Sequence, residues 1–495
     1  MKLKITFLIT LSLLVAMSFS ACDDRLEELN TDPLSLSGLP DEYLFANAVR
    51  QAFGDPAHEG RFASQYAHVY VSSSEWRRAD GYDDFHSQDV YKEMFAYWYT
   101  NPVRYIRKVL DQTASGPDAD SVRHAMASVV SVLIFSQVTD LFGDVPYSEG
   151  GKGLDGILYP RYDAQEDIYA DMMFQLKSDI AILKSAGADE GYNGSDPVYN
   201  NDHEKWICFA NSLRLRLAMR ARFADPDGSA AVITECMNEG KFIESNSQNF
   251  ALTHQDSESS DLYNPWWGVR QHQSLRISEK LVNWFLTTHD PRLYILADTA
   301  PGGVYRGYPN GLNDKMLSAY PYENYSTPAN ILFDKALPQF LMCASEVYFL
   351  RAEAALFSLA SGDANSLYQQ GIRENFSLWN VPSDSVDAFM ANETEANLHG
   401  TQEEQFAQIS TQAWIAFIPD FNQAWFNINR TGYPLIPQRT DPVKYAIGVT
   451  NGFLPKRYKY ASIEYVTNKT NLEKAIERQG PDKIDTPVWW DVRGN

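Results

Sequence analysis

The sequence predicts an all-α protein whose scaffold is made of paired helices, and three observations carry that prediction. Apolar residues recur at helical spacing over long segments: Ile168, Met172, Leu176, Ile180 and Leu183 fall on one face. Residues 345–378 follow the tetratricopeptide pattern of about 34 residues, with Tyr348, Ala352, Ala364, Tyr368 and Gly371 at its aromatic and small positions. The Ser361-Gly362-Asp363 break falls where the two helices of such a unit must turn. No ten-residue alternating series suggests a barrel.

The chain opens with Lys2 and Lys4, an apolar run from Ile5 to Phe19, and Ser20-Ala21 before Cys22. A basic start, a short apolar stretch and small residues before a cysteine form a secretory leader over residues 1–21, with Cys22 as the lipid attachment site. Asp23, Asp24, Glu27 and Glu28 follow at once. Residues 22–41 then read as an extended, lipidated tether rich in turn formers, and 42–495 as a single helical domain.

Within that domain helices are expected at about 42–53, 87–111 and 121–141. The third stops at Gly143 and Pro146. Asp163 with Glu166 three residues on predicts a capping box for the next helix. A long helix over 203–223 carries Arg214, Arg216, Arg220 and Arg222 within a leucine and alanine stripe, as surface or interhelix partners. Further helices are expected near 278–287, 403–418 and 421–428, and after Arg430-Thr431-Gly432-Tyr433-Pro434 the chain reads as irregular.

The composition narrows the function classes. With 44% hydrophobic and 13% aromatic residues there is material for a large core. A net charge of −22 repels phosphate backbones and anionic head groups, so neither nucleic acid nor an anionic membrane surface is an expected partner. The membrane is reached through the Cys22 lipid alone. Beyond the leader no apolar run of spanning length is read, and the body is expected to be soluble. Cys208, Cys236 and Cys343 have neither disulfide nor metal-ligand spacing and are read as structural.

The stretch from about 245 to 335 lacks sustained helical periodicity and is rich in Trp, Tyr, Gly and Pro. Long irregular stretches of this kind are usually functional loops, so the ligand surface is expected here. Sugar recognition needs flat rings to lie on pyranose faces, together with polar groups that bond hydroxyls. Three clusters offer such sets: Trp76 with Arg78 and Asp80 on a loop expected to be exposed over 72–84; Trp266 and Trp267, flanked by Asn264 and Arg270; and Tyr320, Tyr322 and Tyr325. The competing reading is that these aromatics simply pack beneath long loops.

Catalytic signatures are missing: there is no H-E-x-x-H, no G-x-S-x-G and no phosphate-cradling P-loop. The nine histidines have no ligand-like spacing, so no metal site, catalytic residue or cofactor is expected, with a structural calcium ion left open. Paired carboxylates for glycoside hydrolysis cannot be read from spacing, since such a pair need only meet in space.

In order along the chain stand the Cys22 leader, Asn30-Thr31-Asp32-Pro33, Leu141-Phe142-Gly143-Asp144-Val145-Pro146-Tyr147-Ser148-Glu149 and Pro160-Arg161-Tyr162-Asp163. They are followed by Ser345-Glu346-Val347-Tyr348-Phe349-Leu350-Arg351-Ala352-Glu353-Ala354, Gln412-Ala413-Trp414-Ile415-Ala416, Arg430-Thr431-Gly432-Tyr433-Pro434, Pro455-Lys456-Arg457-Tyr458 and Trp489-Trp490-Asp491. This series resembles the SusD/RagB family of outer-membrane lipoproteins, in its SusD-like branch, and the resemblance covers essentially the whole mature chain. It implies tetratricopeptide-like helix pairs with loop-rich insertions that carry the ligand surface. It further implies a noncatalytic lipoprotein facing the cell exterior, which captures a glycan or other nutrient as the lid of a SusC-like TonB-dependent transporter. The acids after Cys22 resemble the surface-export signal of Bacteroidota lipoproteins. Ligand loops vary within the family, so no ligand residue transfers by motif. A peptide cargo, a surface glycoside hydrolase and an adhesion protein are the alternatives.

Overall fold

The computed structural model describes residues 39–54, 60–73, 77–84, 88–115, 119–259, 262–270 and 275–493. The leader, Cys22 and nearly all of the tether lie outside the described residues.

Helices stack in sequence order. Asp41–Gln51 packs on Arg104–Ala114, then come Ser121–Phe142, Gln165–Ser185 and His203–Ala221, each against its predecessor. His203–Ala221 also packs on Pro226–Glu239 and, across the irregular insertion, on Ala344–Leu356. That helix pairs with Ala364–Leu378 and with Gln402–Ala416, which in turn holds Phe421–Thr431. The molecule is therefore mostly helical and built from neighbouring helix pairs, as the sequence predicts.

Several helix starts follow from one device, a side-chain oxygen that accepts the free N–H groups of the first turn. Asp120 takes those of Val122 and Arg123 at 2.9 and 3.0 Å, and Asp363 takes that of Ser366 at 2.7 Å. Thr401 and Glu404 form a reciprocal capping box. Asp163 does not cap. The Gln165–Ser185 helix begins after Ala164, and Asp163 instead accepts from the backbone N–H groups of Tyr147 and Ser148 at 3.1 and 2.7 Å. The carboxylate thus braces the turn that ends the preceding helix.

Ser121–Phe142 corrects the reading of the hydropathy: it is long and apolar enough to cross a membrane. Its apolar window is wholly buried between its neighbours, so it is the core helix of this body.

Arg214, Arg216 and Arg220 of the His203–Ala221 helix and Arg222 at its end are buried interhelix partners and not surface groups. Arg216 grips Glu346, Nε to Oε1 at 2.5 Å and Nη2 to Oε2 at 2.6 Å. Arg220 pairs with Asp140, Arg214 with Glu235, and Arg222 with Glu353 at 2.7 Å. Asp140 also accepts from the Trp490 indole at 2.7 Å, which ties the C-terminal segment to the core helix. The cysteines Cys208, Cys236 and Cys343 are free and buried.

The 345–378 unit forms as a helix pair, with one change of role. Tyr348 is only half-buried, and the ring filling the groove is Phe349. Gly371 is what admits it: a Cβ there would stand 2.7 Å from Phe349 Cε1.

The insertion is clipped to this body by two short antiparallel ribbons. β1 (Tyr70–Ser72) pairs with β3 (Leu275–Ile277) in the register Tyr70 to Ile277, and β2 (Phe250–Leu252) pairs with β4 (Gln339–Met342). Between them the chain runs through short helical turns, with Glu279–Thr287 as its longest helix. A helix at Lys469–Gln479 corrects the irregular reading of the C-terminal region. It buries only Leu472 and Ala475, too few positions to show a period.

Candidate functional site

Asp80 of the first cluster and the three tyrosines of the third are tied to one segment, 308–312, beside β1. The segment after β1 is not an exposed loop throughout. Arg77–Asp80 forms a helical turn with Ala79 and Asp80 buried, while Arg78 stays exposed. Trp76 and the side chain of Arg270 lie outside the described residues.

Asp80 is only 1% exposed, which corrects its assignment as a ligand contact. Its carboxylate accepts from Asn310 Nδ2 at 2.9 Å and from the Gly311 N–H. Arg439 pairs with the same carboxylate at 3.4 Å while its guanidinium lies 3.7 Å above the Tyr82 ring. Burial pushes the Asp80 carboxyl up, and Arg439, Gly311 and Asn310 pull it only part of the way back. Asp80 is thus the brace that fixes the 308–312 segment.

On that segment Tyr308 is buried at the centre of a small aromatic group. Tyr322 and Tyr325 meet it at centroid distances of 4.9 and 4.8 Å, both edge-on, and Tyr320 packs on the same cluster. The Tyr322 hydroxyl donates to the Val71 carbonyl of β1 at 2.8 Å, and the Arg276 guanidinium covers its ring at 4.0 Å. Burial raises the Tyr322 phenol, so it stays a neutral donor. The third cluster therefore exists as a unit: Tyr320, Tyr322 and Tyr325 are each half-buried, and the Tyr322 hydroxyl is turned inward onto β1. Such rings are held in place and still reachable.

The second cluster is not in this group. Trp266 is 4% exposed and packs edge-on to Phe421 at 5.3 Å, so it belongs to the core. Asn264 is buried with it, accepting from the Trp266 N–H at 2.9 Å and donating to the Leu337 carbonyl at 2.8 Å. Trp267 is half-buried beneath the Lys335 ammonium, 4.9 Å from the ring centre.

The 308–312 segment has a second side. Tyr308 and Leu312 point into the tyrosine cluster, whereas Pro309 and Asn310 line a cleft of about 570 Å³. Its other walls come from Glu279, Lys280, Asn283 and Trp284 of the Glu279–Thr287 helix, and from the run Tyr433–Arg439. Burial, with help from the Arg439 and Lys280 charges, holds the lining His68 well below its ordinary value, and its ring bonds the Tyr82 hydroxyl at 2.8 Å. Sequence reasoning missed this cleft, although Lys280, Asn283 and Trp284 on one short helix face and the prolines at 434 and 437 were visible signals. Among the described residues no group of three or more His, Cys, Asp or Glu is placed to hold a metal ion.

A family described as SusD-like, starch-binding associating with outer membrane, matches residues 33–461. Among solved structures the fold is similar to a chitin-binding protein at a TM-score of 0.80 and 24% identity, covering 91% of this chain and 100% of the other. A chitin-binding SusD homologue from Flavobacterium johnsoniae also superposes at 0.80, with 23% identity over 92% and 99% of the two chains. A SusD homologue from Bacteroides uniformis gives 0.76 and 25% identity over 91% and 99%. Comparison with curated proteins finds no match. With the helix-pair scaffold, the clipped insertion and a match over most of its length, the chain belongs to the SusD-like family of starch-binding proteins that associate with the outer membrane.

Proposed function

We propose that the protein is a noncatalytic, lipid-anchored receptor at the cell exterior that captures oligosaccharide and passes it to a SusC-like TonB-dependent transporter, for which it serves as the lid. The observation that carries this reading is the tyrosine group on Tyr308, three half-buried rings fixed against β1 by Tyr322 and Arg276. Fixed rings need little ordering when a sugar stacks on them, and the hydroxyls of Tyr320 and Tyr325 can bond it. Trp76 follows β1 by four residues and is the natural candidate to extend this surface. Family membership and two chitin-binding structural relatives support glycan as cargo. Among the described residues lining the neighbouring cleft Glu279 is the single carboxylate, whereas glycoside hydrolysis uses a pair. The leader and Cys22 support attachment by lipid.

The test is titration calorimetry of the chain lacking residues 1–22 with chitooligosaccharides and a panel of other neutral glycans, with chromatography of the ligand afterwards. Saturable binding with the ligand recovered intact supports the reading. Shortened ligand, lost on substitution of one carboxylate, contradicts it.

A further inference from the structure

We propose that the cleft beside the Glu279–Thr287 helix is a second subsite, which takes the carboxylate or sulfate group of an acidic saccharide with the Lys280 ammonium as its counter-ion. The proposal rests on the glycan-capture reading and adds to it a charge class of cargo.

Among the described residues no carboxylate answers the Lys280 charge. Lys280 lines the cleft and is partly buried, yet among the described residues it has no hydrogen-bond or ion-pair partner. This occurs in a chain with 64 acids against 42 basic residues, where most buried arginines among the described residues are gripped by a carboxylate. The other basic groups at the cleft are accounted for. Arg439 is paired with Asp80, and His68 is held neutral by burial. Glu279 is exposed, and its field acts on Lys444 and Tyr325. Lys280 is therefore the one cation of the cleft lining without an ion-pair partner among the described residues, with the exposed Glu279 carboxylate on the same wall.

A partly desolvated ammonium with no counter-ion is unfavourable, and an anion that reaches it recovers that cost through a charge-assisted hydrogen bond. Burial lowers the Lys280 pKa, which is the same desolvation seen from the proton's side. Around the ammonium the lining supplies what a sugar needs: the amides of Asn283 and Gln438 for hydroxyls, and the Trp284 and Tyr433 rings for a pyranose face. At about 570 Å³ the cleft lies within the range of about 300–1,000 Å³ common to small-molecule sites. Because the 308–312 segment is a wall of both the cleft and the tyrosine group, one oligosaccharide could cross from rings to ammonium over that edge.

The experiment is titration calorimetry of the chain lacking residues 1–22 with trigalacturonate, neutral chitotriose and sodium sulfate, on the wild type, Lys280→Met and Lys280→Arg. Thermal unfolding of each variant reports whether it folds. The expected result is trigalacturonate binding that falls about ten-fold or more in Lys280→Met and is largely kept in Lys280→Arg, with chitotriose unaffected by either. Unchanged trigalacturonate affinity in a folded Lys280→Met would overturn the subsite. So would chitotriose binding with no trigalacturonate binding, which leaves the capture reading standing. Lys280-dependent sulfate binding with no saccharide bound would overturn the saccharide assignment and the capture reading together.

Discussion

Arg430 and Glu353 meet through two parallel hydrogen bonds, Nη1 to Oε1 and Nη2 to Oε2, each 2.6 Å long. Arg222 adds a third at 2.7 Å to the same carboxylate, and all three side chains are buried. The pair joins the tetratricopeptide-like helix Ala344–Leu356 to Phe421–Thr431, elements 77 residues apart at the contact. Burial alone would push the Glu353 carboxyl up, but Arg430 and Arg222 outweigh it and hold it below its ordinary value.

Removing that carboxylate leaves two guanidinium groups buried without a counter-charge. Glu353→Ala is expected to lose about 3–5 kcal/mol in urea unfolding at neutral pH. Because the folded-state pKa is depressed, the stability it contributes is present above the unfolded value and is lost as pH falls through the folded one. The gap between wild type and Glu353→Ala should therefore narrow in acid.

Gly371 sits beneath the Phe349 ring, with room for no Cβ. Gly371→Ala should force that ring to move and cost about 1–3 kcal/mol by overpacking. Pairing it with Phe349→Leu should recover part of the loss in thermal unfolding, whereas distant apolar truncations should not.

Asp179 is buried on the Gln165–Ser185 helix with Oδ2 unpartnered, and burial pushes its carboxyl up to about 7 despite the Ser128 hydroxyl. The folded chain then holds this proton more tightly than the unfolded one, so the group's contribution becomes less favourable as pH rises from about 3.8 to about 7. Asp179→Asn should be stabilising at pH 8, by on the order of 2–4 kcal/mol, and close to neutral near pH 4. Melting temperatures across that range check the sign.

The two aromatic clusters should separate cleanly on substitution. Tyr320→Ala with Tyr325→Ala should weaken glycan binding about ten-fold or more with little change in melting temperature. Trp266→Ala, which empties the contact on Phe421, should instead destabilise the fold by about 3–5 kcal/mol.

What could be read from the sequence was what is local. The Ile168 to Leu183 face, the 345–378 pair and the helix-ending Gly143 depend on spacing within a few turns, and the structure contains each. What could not be read depends on partners far along the chain. Asp80 looks solvated between Ala79 and Gly81, yet its partners Asn310 and Arg439 lie 230 and 359 residues away. Trp266 resembles a stacking platform until Phe421 is brought against it. Spacing gives Asp163 a helix cap, but the Phe142 to Ser148 turn competes for the same oxygens. The cleft at Lys280 is the sharpest case, because a missing ion-pair partner is a property of the assembled surroundings and has no signature in the residue order.

The central claim is that this protein holds glycan on fixed rings and does no chemistry on it. The most direct measurement is calorimetric titration of wild type and Tyr320→Ala/Tyr325→Ala with chitooligosaccharides, each followed by chromatography of the recovered ligand. The account predicts saturable wild-type binding, at least about ten-fold weaker in the folded double variant, with ligand length unchanged in both. Equal affinity in the two proteins, or ligand recovered in shorter pieces, would contradict it.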